Sequence, residues 1–252
     1  MFMHLRSHFA ALMVCLGAGV LTGCATVPDK KPADYAAIVA APDRSDADRK
    51  TDERRDPVAL FAFTGIGPGM HVLEMGAGAG YTAEMLARAV GPEGKVYAQD
   101  QAPQYPPAAK AYAARAAKPV MGNVEHVLRP YDDPLPPGVG KLDAITFFFA
   151  YHDTVPLGVD RAKMNRRLYE LLKPGGVLIV ADHSAVAGAG VGATKSLHRI
   201  EESSVIAEIE AAGFRLVAKG DFLRHPQDQR DVIVFRAPTP VDEFVLKFQK
   251  PQ

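Results

Sequence analysis

Apolar segments of two kinds alternate along most of the chain. Strand-like runs are predicted at residues 70–75, 95–99, 124–128, 142–149 and 176–182. Helical runs are predicted between them, at residues 80–90, 105–118, 160–172 and 200–212. Regular alternation of strand and helix is typical of a parallel sheet that is covered by helices on both faces. The long apolar run at 142–149 is typical of a buried central strand.

The alternation stops near the C-terminus. Residues 214–220 and 231–236 form two further strand-like runs, and the polar loop between them is too short to hold a crossover helix. A connection of this length makes an antiparallel pair. The sequence therefore predicts an α/β fold of the Rossmann-like, doubly wound type, with a mostly parallel sheet that ends in a C-terminal antiparallel hairpin.

The first 45 residues differ in character from the rest. Arg6 precedes an apolar run at 9–20, which leads into a Leu-Thr-Gly-Cys sequence that resembles the bacterial lipoprotein box and ends at Cys24. We predict a signal peptide at 1–23, followed by a lipidated cysteine and a linker at 24–45. An ordinary signal peptide or an N-terminal membrane anchor is the alternative. The lipoprotein interpretation places the protein in the bacterial cell envelope, on the periplasmic side of a membrane.

The remaining chain is predicted to form one domain at 46–236 and a C-terminal tail at 237–252. Lys and Arg together total 29, as do Asp and Glu, so the formal net charge is zero. Proteins that bind nucleic acids usually carry a basic excess, and its absence argues against such a substrate. Cys15 and Cys24 are the two cysteines. The mature domain would therefore hold no disulfide, thiolate metal site or cysteine nucleophile.

A glycine-rich turn follows the first predicted strand. Gly76, Gly78 and Gly80 follow Glu74 and Met75 and precede a predicted helix. Glycines let the backbone approach a ligand closely, and the N-terminus of a helix offers free N–H groups. A dinucleotide fingerprint would need its third glycine at position 81, where this chain has Tyr81. A nicotinamide cofactor is therefore disfavoured, and no nucleoside triphosphate motif is present.

An acid, Asp100, ends the second predicted strand, where it can accept hydrogen bonds from both hydroxyls of a ribose. Together with the glycine turn it resembles the first two motifs of class I S-adenosylmethionine-dependent methyltransferases. The resemblance continues in Leu-Lys-Pro-Gly-Gly at 172–176 and Ala-Ala-Gly-Phe at 211–214, and it covers residues 52–236. It implies the Rossmann-like fold and S-adenosylmethionine as the cofactor.

By position, the resemblance implies a cofactor site at the carboxyl ends of the strands. Glu74 and the glycines would line the methionine and adenosine, and Tyr81 and Thr82 would lie near the carboxylate. Phe149 and Ala150 would close the pocket beneath the sulfonium. The full set of implied cofactor residues is Glu74, Gly76, Gly78, Gly80, Tyr81, Thr82, Asp100, Gln101, Asp132, Asp133, Phe149 and Ala150.

The adenosine end of this implied site is carried by acids and an amide. Asp100 would hold the ribose, and Gln101 would flank the adenine. Asp132 or Asp133 would reach the amino group of the adenine. The alternative for these two aspartates is a turn before Pro134, a role that aspartate fills well.

Two histidines follow the predicted strands at 142–149 and 176–182, on the edge where doubly wound sheets bind ligands. His152 is predicted to act as a general base that Asp153 supports. Alternatively, these two residues hold the loop or contact the cofactor. His183 is a second candidate catalytic residue.

The segment at 185–194 is rich in Gly and Ala and is predicted to be a mobile lid over the substrate. His198 or Arg199 would then contact the methyl acceptor. The alternative is a loose connection that leaves Arg199 at the solvated start of a helix. The histidines lack the H-x-x-x-H and H-E-x-x-H spacings, so no metal site is predicted.

The resemblance implies a methyltransferase, and the leader predicts that it is exported and lipid-anchored. It would act on a small molecule or an envelope component. An Asn/Asp-Pro-Pro-Tyr motif is absent after the fourth strand, which argues against methylation of adenine N6 or glutamine. The alternative is a non-catalytic lipoprotein of this fold that binds an adenosine-type ligand or a protein partner. Export favours that alternative, because S-adenosylmethionine is made in the cytoplasm. The intact glycine turn and Asp100 favour the enzyme.

Overall fold

The computed structural model describes Met1 and residues 32–252. Most of the predicted signal peptide, Cys24 and the first part of the predicted linker lie outside the described residues. Across the described part of the chain, every helix is too short or too polar to cross a membrane.

Helices and strands alternate as the apolar pattern predicts. The helices are α1 (Tyr35–Val39), α2 (Asp46–Arg55), α3 (Pro57–Thr64), α4 (Tyr81–Val90), α5 (Pro106–Ala116), α6 (Arg161–Leu171), α7 (Thr194–Leu197) and α8 (Glu202–Glu210). The strands are β1 (His71–Met75), β2 (Lys95–Asp100), β3 (Val124–Leu128), β4 (Leu142–Phe148), β5 (Leu172–His183), β6 (Arg215–Gly220) and β7 (Glu243–Gln249). Single 3-10 turns occupy Pro119–Asn123, His152–Thr154 and Val234–Arg236.

The strands form one seven-stranded sheet in the order β3-β2-β1-β4-β5-β7-β6. The strands from β3 to β5 in this order are parallel, whereas β7 is antiparallel to both β5 and β6. This arrangement confirms the predicted fold class. It also brings the carboxyl ends of β1, β2, β4 and β5 to one edge of the sheet, where ligands of doubly wound folds bind.

Both faces of the sheet are buried, so its central strands are mostly apolar. On one face, Leu73 and Phe147 pack in a core with Leu168 of α6. On the other face, Val72 packs in a second core with Phe61 of α3. Because successive side chains point to opposite faces, this double cover explains why the strands do not alternate between apolar and polar residues.

The predicted C-terminal hairpin is wrong in its second strand. Residues 231–236 end in a 3-10 turn, and Phe235 is 75% exposed. The second strand is β7, which lies in the segment predicted to be a tail (237–252), and it is inserted between β5 and β6. The cause is burial, because Phe244, Leu246 and Phe248 are fully buried in the sheet.

The predicted linker is also partly wrong. Within it, α1 begins after Asp34, whose side chain accepts a hydrogen bond from the N–H of Ala37 at 3.0 Å. Tyr35 is buried against Phe61, and its hydroxyl donates a hydrogen bond to the carbonyl of Ile66. The domain therefore begins before residue 46 and includes α1.

Removal of residues 241–252 should prevent cooperative folding, because it deletes β7 and leaves the facing edges of β5 and β6 unpaired. We expect the shortened chain to show no cooperative melting transition in circular dichroism. Removal of residues 251–252 alone is the control and should shift the melting temperature by no more than about 2 °C. Cooperative melting of the longer truncation at the temperature of the full chain would contradict this role of β7.

Candidate active site

The turn after β1 adopts a conformation that favours glycine. Gly76, Gly78 and Gly80 have φ angles of 71°, 57° and 77°. A Cβ atom at Gly76 would lie 2.9 Å from that of Ala150, and one at Gly80 would lie 3.0 Å from the ring of Tyr112. Side chains at these two positions would be strained and crowded. Gly80 thus serves packing against α5 rather than the lining of the cleft, contrary to its predicted place.

Asp100 fastens this turn from the end of β2. Its Oδ1 accepts a hydrogen bond from the N–H of Gly78 at 2.9 Å, and its Oδ2 accepts one from Gln104 at 2.8 Å. Nε2 of His126 lies 3.0 Å from the same Oδ2. Burial raises the pKa of Asp100, although the Gly78 N–H and His126 act in the opposite direction. The carboxylate is therefore positioned before any ligand binds.

Glu74 offers a second buried carboxyl group beside Asp100. It is 3% exposed, and its Oε2 has no hydrogen-bond partner among the described residues. Burial, with a smaller contribution from the charge of Asp100, raises the pKa of Glu74 to about 8. An unpartnered buried acceptor fits a ligand that brings its own donor, such as a hydroxyl or an ammonium group.

A cleft of about 800 Å³ opens along the carboxyl ends of the strands. Most of the implied cofactor residues line it, namely Glu74, Gly76, Gly78, Tyr81, Thr82, Asp100, Gln101, Phe149 and Ala150. Asp153 lines it as well. Further lining residues that the sequence did not single out are Thr51, Arg55, Gln104, Tyr105, Tyr131, Pro156 and Leu157.

Arg55, at the end of α2, is the principal residue that sequence reasoning did not assign to the site. Its guanidinium lies 5.1 Å from the ring centre of Tyr81 and 4.6 Å from that of Phe149. Its Nε is buried without a hydrogen-bond acceptor among the described residues. Burial, and secondarily Arg54, lowers the pKa of Arg55 to about 10, so it remains a cation at neutral pH. An unpaired guanidinium in the wall of a cleft fits an anionic group of a ligand.

Ion pairs hold α2 against the glycine turn. Asp52 accepts two hydrogen bonds from Arg44, both at 2.7 Å, and one from the hydroxyl of Tyr81 at 2.5 Å. Arg115 of α5 donates to both carboxylate oxygens of Asp48, at 2.6 and 3.0 Å, and to the carbonyl of Ala79 at 3.0 Å. These contacts place Arg55 at the cleft, because they fix the helix that carries it.

Phe149 occupies a strained position at the end of β4. Its φ angle is 57°, a region that large residues rarely adopt. Its N–H donates to the carbonyl of Ala181 at 2.7 Å, and its ring stacks on His183 with 5.3 Å between centres. The guanidinium of Arg54 lies 4.8 Å from the same ring. These contacts hold the ring in the wall of the cleft against the backbone strain.

His152 is buried and paired with Asp182 at the end of β5. Its Nδ1 lies 2.7 Å from Oδ1 of Asp182, and its Nε2 lies 3.2 Å from Oδ1 of Asp153. Burial opposes the proton, but Asp182 and Asp153 outweigh it and raise the pKa of His152 to about 10. A histidine that already carries its proton at neutral pH is a poor general base. The raised pKa of His152 and the position of Asp153 in the cleft lining therefore favour Asp153 over His152 as the proton acceptor.

The other two candidate histidines lie behind the cleft wall. His183 stacks on Phe149, and its Nδ1 lies 3.0 Å from Oε1 of Glu243. His198 follows α7, with Nδ1 3.2 Å from Nε2 of His152. Folding thus brings His152, His183 and His198 together, although none of them lines the cleft itself.

Asp132 and Asp133 do not lie at the cofactor cleft, contrary to the prediction. Asp132 pairs with Lys163 of α6 at 2.9 Å, and Asp133 pairs with Arg129. Their carboxylates line a separate surface hollow beside α6. Tyr131, the residue before them, lines the cleft instead. The aspartates follow the turn alternative, in which they are satisfied by basic side chains.

The predicted contact of Arg199 with the methyl acceptor is also wrong, because the side chain of Arg199 is fully buried. It makes a two-pronged ion pair with Asp228, at 2.7 and 3.1 Å, and donates to the carbonyls of Ser184 and Val232 at 3.1 Å. Its role is to hold the segment that follows β5 against the loop after β6.

Comparisons with known proteins agree with this geometry. Residues 72–176 match the family model described as "Methyltransferase domain". A protein-L-isoaspartate O-methyltransferase from Triticum aestivum is 32% identical over 114 residues, which is 45% of this chain and 46% of the wheat protein. The chain therefore matches less than half the length of that relative.

Two solved structures show the same fold at low identity. A SAM-dependent methyltransferase from Aquifex aeolicus is 22% identical, with a TM-score of 0.59, and the match covers 86% of this chain and 98% of that one. The cyclase SpnF is 18% identical, with a TM-score of 0.56 and 81% of each chain covered.

The fold and the cleft define a class I methyltransferase domain, which confirms the resemblance read from the glycine turn and Asp100. Residues 72–176, less than half of the chain, are thus similar to the methyltransferase domain of class I S-adenosylmethionine-dependent enzymes. The cofactor of this class is S-adenosylmethionine, and the lining residues fit it. Asp100 and Glu74 offer acceptors for hydroxyl and ammonium groups, and Arg55 offers a cation for a carboxylate.

Replacement of Arg55 by glutamine should weaken binding of S-adenosylhomocysteine by about 10- to 100-fold, because a charge-assisted hydrogen bond contributes about 1.5–3 kcal/mol. Binding of adenosine, which lacks the amino-acid part, should change by less than about threefold. Calorimetric titration of both ligands checks this. Arg49→Gln, an exposed position on the same helix, is the matched control. An equal loss for both ligands would show that Arg55 does not contact the amino-acid part.

Proposed function

We propose that this protein is a lipid-anchored envelope enzyme that transfers the methyl group of S-adenosylmethionine to a small molecule or an envelope component. The observation that carries the transferase activity is the composition of the cleft, which is lined by two buried carboxyl groups, Glu74 and Asp100, and by a cation, Arg55. Among the described residues, Oε2 of Glu74 and Nε of Arg55 have no hydrogen-bond partner. S-adenosylmethionine is a zwitterion with an additional sulfonium charge, and it complements this pattern. The match of residues 72–176 to a methyltransferase domain supports the same activity.

When bound, S-adenosylmethionine supplies a methyl group that is activated by positive sulfur. The protein has to hold the acceptor in line with the carbon–sulfur bond, and such positioning supplies much of the acceleration. The new bond forms as the carbon–sulfur bond breaks, and the acceptor loses a proton. Asp153 is 39% exposed at the cleft and is placed to accept that proton. His152 then acts as a positioning residue for Asp153.

The mouth of the cleft supports an acceptor with an apolar part. Tyr105 is 73% exposed and Leu157 is 52% exposed, and both line the cleft beside Pro156. Exposed apolar side chains at the rim of a polar cleft are typical of ligand contacts. The name of the wheat relative also suggests an oxygen acceptor, so isoaspartyl peptides belong in the set of acceptors to be screened.

The non-catalytic alternative is less well supported. A protein that binds only an adenosine-type ligand would have no need for Arg55, a cation in the wall of the cleft that suits a carboxylate. The cyclase SpnF has a similar fold, so the fold by itself does not determine the reaction. Only a direct measurement of methyl transfer therefore distinguishes the enzyme from the non-catalytic alternative.

Methyl transfer is tested by titration of the purified full-length chain with S-adenosylmethionine, followed by incubation with the labelled cofactor and candidate acceptors. We expect micromolar binding, about −8 kcal/mol, and label in an extracted product. Asp100→Ala should weaken binding at least about 100-fold, since it removes the ribose acceptor and loosens the turn at Gly78. Asp132→Ala, an aspartate outside the cleft, is the control.

Two results would contradict the proposal. Absence of binding in a folded sample would exclude the cofactor. Tight binding without transfer to any acceptor, including isoaspartyl peptides and envelope extracts, would favour the non-catalytic alternative.

The proposed anchor rests on the sequence around Cys24 and is tested independently. Cys24→Ser should move the protein from the membrane fraction to the soluble fraction and abolish labelling by a radioactive fatty acid, because acyl chains hold the protein at the membrane. Cys15→Ser is the matched control and should leave both unchanged. Continued acylation of Cys24→Ser would exclude the lipoprotein interpretation.

A further inference from the structure

Three side chains form a compact triangle of ligand atoms beside the cleft. Nε2 of His152 lies 3.2 Å from Nδ1 of His198 and 3.2 Å from Oδ1 of Asp153, and the last two atoms are 3.5 Å apart. We propose that His152, Asp153 and His198 bind a divalent first-row transition metal ion. The sequence analysis predicted no metal site, because His198 lies 45 residues after Asp153 and the histidines lack a metal-binding spacing.

The dimensions of the triangle match such an ion. A circle through the three atoms has a radius of about 1.9 Å, whereas metal–ligand bonds to histidine and carboxylate are about 2.0–2.2 Å long. An ion at about 2.1 Å from each atom would therefore lie about 0.9 Å to one side of the plane of the triangle. Two histidines and one carboxylate on one face leave the opposite coordination positions open.

Asp182 provides the support that a metal-binding histidine needs. Its Oδ1 lies 2.7 Å from Nδ1 of His152, and its carboxylate also accepts from the N–H groups of His152 and His183, both at 2.8 Å. This arrangement fixes the ring and directs Nε2 toward the triangle. Carboxylate–histidine–metal contacts of this kind are common around bound ions.

His198 is held in place from the other side. It follows α7 with a φ angle of 53°, and its ring packs against Phe235 with 4.9 Å between centres. His198 is 30% exposed and Asp153 is 39% exposed, whereas His152 is buried. The open positions of an ion would thus face the exposed side of the triangle, where a ligand can approach. Binding would displace the proton from Nε2 of His152.

The donor set limits the identity of the ion. Two imidazoles and one carboxylate suit Zn²⁺, Co²⁺, Ni²⁺ or Fe²⁺, whereas Mg²⁺ and Ca²⁺ prefer oxygen ligands. Asp153 also lines the cleft. If methyl transfer occurs as proposed above, on which this second step rests, the ion would bind an oxygen of the acceptor. It would favour loss of the acceptor's proton to solvent, in place of proton transfer to Asp153, and the substrate class would be hydroxyl or carboxyl compounds.

The test is titration of the purified, chelator-treated full-length chain with Zn²⁺, and the visible spectrum after addition of Co²⁺. We expect one equivalent of Zn²⁺ at micromolar affinity or tighter, and d–d bands of Co²⁺. His198→Ala should lower the affinity for this Zn²⁺ ion at least about 100-fold, and Asp182→Asn should lower it about 10- to 100-fold. His71→Ala, which removes an exposed histidine at the far end of β1, is the control and should retain the site.

A wild-type chain that binds no more Zn²⁺ than His198→Ala would overturn the proposal and leave the triangle as a hydrogen-bonded cluster. Loss of the same equivalent in His71→Ala would also overturn it. S-adenosylhomocysteine is titrated in parallel, because His198 does not line the cleft. Zn²⁺ binding without cofactor binding would support the metal site and contradict the methyltransferase proposal, whereas the reverse result would contradict the metal site alone.

Discussion

The carboxylate of Asp100 accepts a hydrogen bond from the N–H of Gly78, and this contact joins the end of β2 to the turn after β1. The turn can approach the carboxylate because its glycines carry no side chains and take positive φ angles. The same path of the backbone starts α4 at Tyr81 and brings Glu74 close enough to Asp100 to share its buried surroundings. The cofactor cleft thus depends on one backbone conformation and the acid that holds it.

A second constraint acts from outside the sheet. Helix α2 carries few apolar residues, and it is held by charge: Asp52 pairs with Arg44 and Tyr81, and Asp48 pairs with Arg115. Because Arg44 and Arg115 occupy these carboxylates, Arg55 at the end of the helix has no acidic partner among the described residues. Partly buried ion pairs of this kind are costly to break, so they fix position more than they add stability.

Features of the site that follow from local sequence patterns could be predicted, whereas features that depend on contacts between distant segments could not. The glycine turn and Asp100 could be located because each is adjacent to a strand end, and parallel strands present those ends at one edge. Arg55 could not, because α2 is charged along its whole length, and such a sequence shows neither that the helix covers the cleft nor that its other charges are paired. The strand at 231–236 was misassigned for a related reason, since the segment at 243–249 has an equally strand-like pattern. Burial of Phe244 and Phe248 beside β5 decides between them.

Phe149 connects the two halves of the site. One half, built from β1, β2 and α2, presents charges suited to the cofactor, and Arg55 of this half lies against the ring of Phe149. The other half, built from the ends of β4 and β5, contains the histidine cluster, and His183 stacks on the same ring. Because a φ angle of 57° is unfavourable for phenylalanine, this ring position persists only while both neighbours hold it. A ligand that binds Arg55 therefore also changes the packing of Phe149 against His183, at the ends of β4 and β5.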